Sequence, residues 1–138
     1  MLNSTLATTT AQCTAAIVDL DGTMVDTLGD FVAALGVALA HHGLPPTDRA
    51  AVANFVGKGS EHLVHSVVVH VGGDAALAPA VLQTYQTAYR SINGQHVQVY
   101  AGVREGLMQC RQRGWRLACV TNKPLEFARA LLAHVKLD

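Results

Sequence analysis

The feature that most constrains this chain is a pair of acidic residues directly after a short apolar run. Asp19 and Asp21 follow residues 15–18 (AAIV), and Gly22 comes next. The run predicts a strand over residues 15–20 that is covered on both faces, and the glycine predicts a turn. A carboxylate at the end of a buried strand loses water and needs a cation or hydrogen-bond donors in return. The rest of the chain is expected to supply them.

Composition restricts the class of protein. The chain has 138 residues, half of them hydrophobic, and a formal net charge of zero, which predicts a globular domain. Balanced charge argues against nucleic acid and anionic membranes as partners, and the apolar runs are too short to span a membrane. Residues 1–14 are rich in Ser and Thr and have no Lys or Arg. They predict a disordered leader rather than a secretory signal.

The cysteines indicate the compartment. Cys13, Cys110 and Cys119 form an odd count with no C-x-x-C spacing. This pattern predicts free thiols, used as small core residues, in a reducing cytoplasm.

Helical patterns dominate the middle of the chain. Thr27 is predicted to cap a helix that ends at His42-Gly43, and Thr47 to begin a short helix that breaks at residues 57–59. Residues 62–71 are ambiguous, because they contain three consecutive valines. Apolar residues one turn apart and a following glycine pair favour a helix.

A further helix completes the predicted helical block. Asp74 is predicted to cap it and Asn93-Gly94 to close it, and Tyr85 and Tyr89 lie one turn apart in its interior-facing stripe. Residues 28–95 are therefore predicted to form an all-helical cap inserted after the first strand.

A second strand is predicted over residues 115–120, after a helix over residues 103–112. A third helix then begins with Pro124 at its first position. Residues 15–27 and 96–138 thus predict an α/β core. By the handedness of crossover connections its two strands are parallel, with their carboxyl ends at one edge of the sheet.

Four polar residues fall at that edge: Asp19, Asp21, Thr121 and Asn122. A phosphate suits Thr121 and the start of the following helix, where free N–H groups favour negative charge. Two aspartates would repel it unless a divalent cation lies between them, and hard oxygen ligands favour Mg²⁺. One aspartate could then attack phosphorus while the other handles protons.

Two motifs carry a family resemblance. DLDGTMVDT (residues 19–27) and VTNKP (residues 120–124) resemble the first two signatures of the haloacid dehalogenase superfamily, and the phosphoglycolate phosphatases most closely. The resemblance implies a partial Rossmann-like core of parallel strands flanked by helices, with an inserted helical cap. It also implies Mg²⁺-dependent hydrolysis of a small phosphorylated metabolite, 2-phosphoglycolate first, through an aspartyl-phosphate.

The resemblance also implies roles for residues. Asp19 would be the nucleophile and a metal ligand, and Asp21 the general acid and base whose backbone carbonyl also binds the metal. Thr121 would bind the phosphoryl group, with help from Asn122. The loop Gly57-Lys58-Gly59 would contact the substrate, although a solvated lysine is an alternative for Lys58.

The sequence departs from the family pattern downstream. Members carry a later lysine motif and a Gly-Asp motif, and the sequence ends at Asp138 before either. Lys123 belongs to the second motif, and Lys136 lies too near the end to supply the lysine. The expectation is a truncated or split form with little turnover alone. Self-association or a complementing C-terminal half would cover its exposed strands.

Other interpretations stay open. A sugar-phosphate mutase would use Asp19 and Asp21 in the same way but return the phosphoryl group to substrate, whereas a non-catalytic fragment would only bind phosphate or a partner. Dehalogenation is disfavoured because it needs no second acid. His62 and His65 lie three residues apart on a predicted helix, but without a third ligand they are interpreted as surface residues.

Overall fold

The computed structural model describes residues 14–138. The predicted leader, apart from Thr14, and Cys13 lie outside the described residues. The elements follow in chain order: β1 Ala15–Val18, β2 Val25–Asp26, α1 Leu28–His41, α2 Arg49–Ala53, α3 Ser60–His70, a 3₁₀ turn Ala75–Leu77, α4 Ala78–Ile92, β3 Gln98–Val99, α5 Val103–Gln112, β4 Arg116–Cys119 and α6 Leu125–His134.

The two principal strands are parallel, as predicted. β1 pairs with β4 in a register that runs from Ala15 opposite Arg116 to Val18 opposite Cys119. β1 is shorter than predicted, because the chain turns around Leu20, whose carbonyl accepts the N–H groups of residues 23–25. Leu20 itself is fully buried. Asp19 and Asp21 therefore lie in a turn just beyond the strand end.

A second, smaller sheet was not predicted. β2 pairs with β3 in an antiparallel manner, with Val25 opposite Val99 and Asp26 opposite Gln98. Each strand has two residues, which is too short to give an alternation pattern in the sequence. The pairing joins the segment before α1 to the segment after α4. Val25 is fully buried at this junction.

The principal sheet is exposed, as expected of a truncated form with uncovered strands, although the apolar run alone predicted a first strand covered on both faces. Ile17 is 73% exposed and Val120 is 61% exposed, so the expectation of a first strand covered on both faces is wrong within the described residues. Cys119 is also exposed, although Cys110 is partly buried, and both are free thiols. The prediction of free thiols is therefore confirmed for these two cysteines, but Cys119 is not a core residue.

Helices α1 to α4 form a helical block with its own apolar core. Residues 62–71, ambiguous in sequence, belong mostly to helix α3, which buries Val64, Val67 and Val68. Tyr85 and Tyr89 of α4 are 2% and 1% exposed, which confirms their predicted interior position. Among residues 14–138 no helix has the length and apolarity required to cross a membrane.

The starts of α1 and α2 differ from the prediction. Thr27 is the N-cap residue of α1, as predicted, but its hydroxyl makes no capping bond. Asp26 Oδ1 accepts the Leu28 N–H at 3.1 Å instead. Thr47 is predicted to begin α2, but α2 begins at Arg49, and Asp48 is its N-cap, because the Asp48 carboxylate accepts the Ala51 N–H at 2.7 Å. In both cases an aspartate carboxylate, and not a threonine hydroxyl, accepts a backbone N–H at the helix start.

The remaining helix starts differ in detail. Asp74 caps the 3₁₀ turn that leads into α4, since its carboxylate accepts the Ala76 N–H at 2.9 Å. Pro124 is the N-cap of α6 rather than its first residue. The proline still lies where a backbone N–H would have no helical partner.

A buried aspartate joins the two segments that connect the helical block to the sheets. Asp30 of α1 is fully buried. Its Oδ2 accepts the Gly94 N–H at 2.6 Å and its Oδ1 accepts the His96 N–H at 2.7 Å. The first turn of α1 is thereby fixed against the chain that returns from α4.

The neighbouring glycine permits this close approach. A Cβ atom on Gly29 would lie 2.4 Å from the His96 carbonyl oxygen, whereas one on Gly36, in the same helix, would meet nothing within 4 Å. We expect Gly29→Ala to lower the free energy of unfolding by about 1–3 kcal/mol, as overpacking does. Gly36→Ala should raise it by up to about 1 kcal/mol. Urea unfolding followed by circular dichroism measures both, and equal effects would contradict the proposed close contact.

Candidate active site

The predicted site residues lie around one cavity at the carboxyl ends of β1 and β4. The turn after β1 supplies Asp19 and Asp21, and the loop after β4 supplies residues 121–123, while the helical block forms the opposite wall. The cavity is lined by Asp19, Asp21, Phe31, Val56, Gly57, Gly59, Ser60, Leu63, Tyr85, Tyr89, Thr121, Asn122, Lys123, Pro124 and Phe127. Lys58 is not among these residues and is exposed.

Asp19 is the more accessible of the two carboxylates. Its Oδ1 accepts the Leu20 N–H at 2.7 Å, and the residue is exposed. Among the hydrogen bonds of residues 14–138, none reaches its Oδ2. One oxygen is thus held by the backbone of the turn while the other remains available to a ligand.

Asp21 is held much more tightly. Its Oδ1 accepts hydrogen bonds from Thr27 Oγ1 at 2.8 Å and from Lys123 Nζ at 3.0 Å. Its side chain is only 12% exposed. The Thr27 hydroxyl, which sequence reasoning assigned to a helix cap, therefore binds a site carboxylate instead.

Lys123 is a site residue that sequence reasoning missed. Its side chain is 3% exposed, and its Nζ donates to Tyr89 OH at 2.7 Å as well as to Asp21. Nζ also lies 4.8 Å from the ring centres of both Phe31 and Tyr89. Burial lowers the pKa of the Lys123 ammonium, while the charge and the hydrogen bond of Asp21 oppose that shift. The sequence indicated this role only through position: Lys123 follows β4, at the same carboxyl edge of the sheet as Asp21.

Thr121 and Asn122 have different surroundings. Thr121 Oγ1 accepts the Lys123 N–H at 3.2 Å, which shapes the turn before α6. Asn122 Nδ2 donates to the Gly57 carbonyl at 2.7 Å. The amide of Asn122 therefore connects the loop after β4 to the helical block, and its predicted contact with phosphate stays a prediction.

The far wall of the cavity is aromatic. Tyr89 stacks on Phe31 and on Tyr85, with ring centres 5.6 and 5.5 Å apart, and meets Phe127 edge-on at 5.1 Å. Burial raises the pKa of Tyr85 and of Tyr89, and the nearby carboxylates add to the effect. Both phenols therefore stay neutral, so Tyr89 OH accepts from Lys123 without forming an ion pair.

The donor atoms at the turn fit a hard cation in part. The exposed Asp19 carboxylate and the Asp21 carbonyl are oxygen ligands of the type that Mg²⁺ prefers. The Asp21 carboxylate is less suitable, because its Oδ1 already binds an ammonium. Within residues 14–138 no group of three or more His, Cys, Asp or Glu side chains could hold a metal. His62 and His65 therefore have no third ligand among these residues. Further ligands would have to come from water or substrate.

Comparisons with known proteins identify the family. The family described as haloacid dehalogenase-like hydrolase matches residues 16–138, so this chain belongs to that family. The fold agrees: a haloacid dehalogenase-like hydrolase from Streptococcus pneumoniae superposes with a TM-score of 0.78 at 20% identity. That match covers 91% of this chain and 57% of the other.

Individual relatives are more specific. The chain is 43% identical to a plasmid-encoded phosphoglycolate phosphatase of Cupriavidus necator over 96% of its own length, and spans 58% of that relative. It is 37% identical to the Pseudomonas putida phosphoglycolate phosphatase and spans 45% of it. The crystal structure of a predicted phosphoglycolate phosphatase from Haemophilus somnus matches with a TM-score of 0.74 and 25% identity, over 90% of this chain and 58% of that one.

Proposed function

We propose that this chain supplies the nucleophile and the proton-transfer group of a Mg²⁺-dependent phosphomonoesterase, with 2-phosphoglycolate as the first candidate substrate. One observation carries the proposal: Asp19, Asp21 and Thr121 line the same cavity at the shared end of two parallel strands. The relatives named phosphoglycolate phosphatase support the substrate class. The enzyme is proposed to act in the cytoplasm.

The proposed reaction has two steps. In the first, the free oxygen of Asp19 attacks phosphorus, the P–O ester bond breaks, and the leaving alkoxide takes a proton from Asp21. In the second, water attacks the aspartyl-phosphate, gives a proton to the Asp21 carboxylate, and releases phosphate and Asp19. The hydroxyl of Thr121 would donate to a phosphoryl oxygen in both steps.

Asp19 and the Asp21 carbonyl would hold Mg²⁺ in this proposal. The cation would offset the negative charge of the phosphoryl group and of Asp19 as they approach one another. Lys58 remains a proposed substrate contact in the loop over residues 57–59, since it is exposed and its positive charge would attract an anionic substrate. Asn122 remains a proposed helper for the phosphoryl group.

Phosphate release tests the proposal. Purified residues 1–138 would be assayed with 2-phosphoglycolate, a hexose phosphate and p-nitrophenyl phosphate, with Mg²⁺ or with EDTA. The expected result is slow Mg²⁺-dependent release that is fastest with 2-phosphoglycolate, since little turnover is expected of this chain alone. Calorimetry with Mg²⁺ and inorganic phosphate accompanies the assay. A chain that neither releases phosphate nor binds these ligands would contradict the proposal.

A second candidate function rests on the exposed sheet. Because Ile17 and Val120 are largely exposed beside the site, we propose that the chain works with protein that covers β1 and β4, either a second copy or a complementing C-terminal half. Light scattering distinguishes a dimer from a monomer. Addition of the separately expressed C-terminal half of the Cupriavidus necator relative should raise phosphate release, and no change in either assay would contradict this candidate.

A further inference from the structure

We propose that Lys123 is a positioning residue for Asp21, and that it ties the orientation of this carboxylate to the aromatic wall of the helical block. The inference rests on the proposed function, because it concerns the group proposed to transfer protons. Lys123 does not contact the reacting atoms in this scheme. It acts by fixing one oxygen of Asp21.

The geometry leaves one oxygen of Asp21 free. Oδ1 accepts from the Thr27 hydroxyl at 2.8 Å and from the Lys123 ammonium at 3.0 Å. An oxygen with two donors directed at it has no room for a proton of its own. The proton that Asp21 transfers must therefore be carried by Oδ2, and the two contacts determine where Oδ2 points.

Lys123 is itself held from the other side. Tyr89 OH accepts a second hydrogen bond from Nζ at 2.7 Å, and the faces of Phe31 and Tyr89 lie 4.8 Å from the charge. Such cation–π contacts favour an ammonium that has left water. Both rings belong to the helical block, whereas Lys123 and Asp21 follow strands of the principal sheet.

The arrangement links two parts of the fold through one side chain. If the helical block moves away from the sheet, Lys123 loses its contacts with Tyr89 and Phe31 and is no longer fixed beside Asp21. We therefore expect Tyr89→Phe, which removes only the hydroxyl, to weaken the Lys123 contact without removing it. Tyr100→Phe is the matched control, because Tyr100 is 41% exposed.

Lysine side-chain NMR tests the contact independently of turnover. The chain has three lysines, Lys58, Lys123 and Lys136, so ¹⁵Nζ labelling gives at most three ammonium signals, which single Lys→Arg variants assign. We expect the Lys123 signal to exchange with water at least tenfold more slowly than the others and to shift in Asp21→Asn and in Tyr89→Phe. Three equally exchanging signals, or no shift in Asp21→Asn, would overturn the proposal.

Kinetics separate a positioning role from a structural one. With Lys123→Met we expect kcat for 2-phosphoglycolate to fall by roughly 10- to 100-fold, part of what acid–base catalysis contributes, with KM within about threefold. The loss should be smaller for p-nitrophenyl phosphate, whose leaving group needs less protonation. Lys123→Arg should recover part of the loss, and Lys136→Met, at an exposed position, should match the parent. Equal losses for both substrates would overturn the proposal.

A parent chain without turnover, alone and with the added C-terminal half, would count against the proposed function, and crystal structures would then decide the positioning role. Asp21 is expected in one rotamer in the parent and in several in Lys123→Met. An unchanged single rotamer in the variant would overturn the proposal.

Discussion

Replacing Asp19 with asparagine is expected to lower phosphate release by about three orders of magnitude or more, as loss of a nucleophile does in other enzymes. An amide oxygen is a poor nucleophile, so no aspartyl-phosphate should form. The fold should be unaffected, because the amide oxygen can still accept the Leu20 N–H that Asp19 accepts at 2.7 Å. A phosphate-release assay measures the loss of activity. The intact mass of acid-quenched protein shows whether an aspartyl-phosphate forms.

The matched control is Asp48→Asn. Asp48 caps α2 and lies outside the cavity, and asparagine caps a helix about as well as aspartate does. The control should therefore keep the activity of the parent. If Asp19→Asn kept its activity too, the nucleophile would have to be another residue.

Replacing Asp30 with alanine is expected to lower the free energy of unfolding by roughly 2–6 kcal/mol. The substitution leaves the Gly94 and His96 N–H groups without their carboxylate acceptor. An unpaired donor costs about 1–3 kcal/mol, with the buried Gly94 N–H toward the upper end and the partly buried His96 N–H toward the lower. Asp30→Asn should cost less, since its amide oxygen can still accept one of the two bonds. Urea unfolding of the variants and the parent gives the values.

A surface carboxylate provides the comparison for Asp30. Asp48→Ala removes one partly exposed capping bond and should cost about 1 kcal/mol. A cost for Asp30→Ala no greater than this would mean that the two segments beside α1 are held by other contacts, such as the pairing of β2 with β3.

Sequence reasoning predicted the features that depend on chain order and periodicity. The apolar runs and the handedness rule place the strand ends together, and the structure accordingly has Asp19, Asp21, Thr121 and Asn122 around one cavity. Helical spacing predicted α3 despite its valines. The division into a core and a cap with the boundaries given above stays a prediction.

The features that sequence reasoning missed depend on distance in space. A threonine before a helix can cap that helix or donate to a side chain elsewhere. The Thr27 hydroxyl donates to Asp21, and only the fold shows that this carboxylate lies within reach. Lys123 gave no periodic signal, because its partners Phe31 and Tyr89 come from helices 92 and 34 residues away in the sequence. The two-residue strands β2 and β3 are too short for any pattern.

The bond from Asn122 to the loop over residues 57–59 has an evolutionary consequence. Asn122 donates to the backbone carbonyl of Gly57. Every residue type has this carbonyl, so the hydrogen bond does not depend on the side chains of the loop. Gly57 and Gly59 adopt φ values of 107° and 88°, which fixes glycine at both positions. Position 58 alone can vary without cost to the attachment. If the side chain at position 58 contacts substrate as proposed, it could be exchanged while the loop stays attached to Asn122.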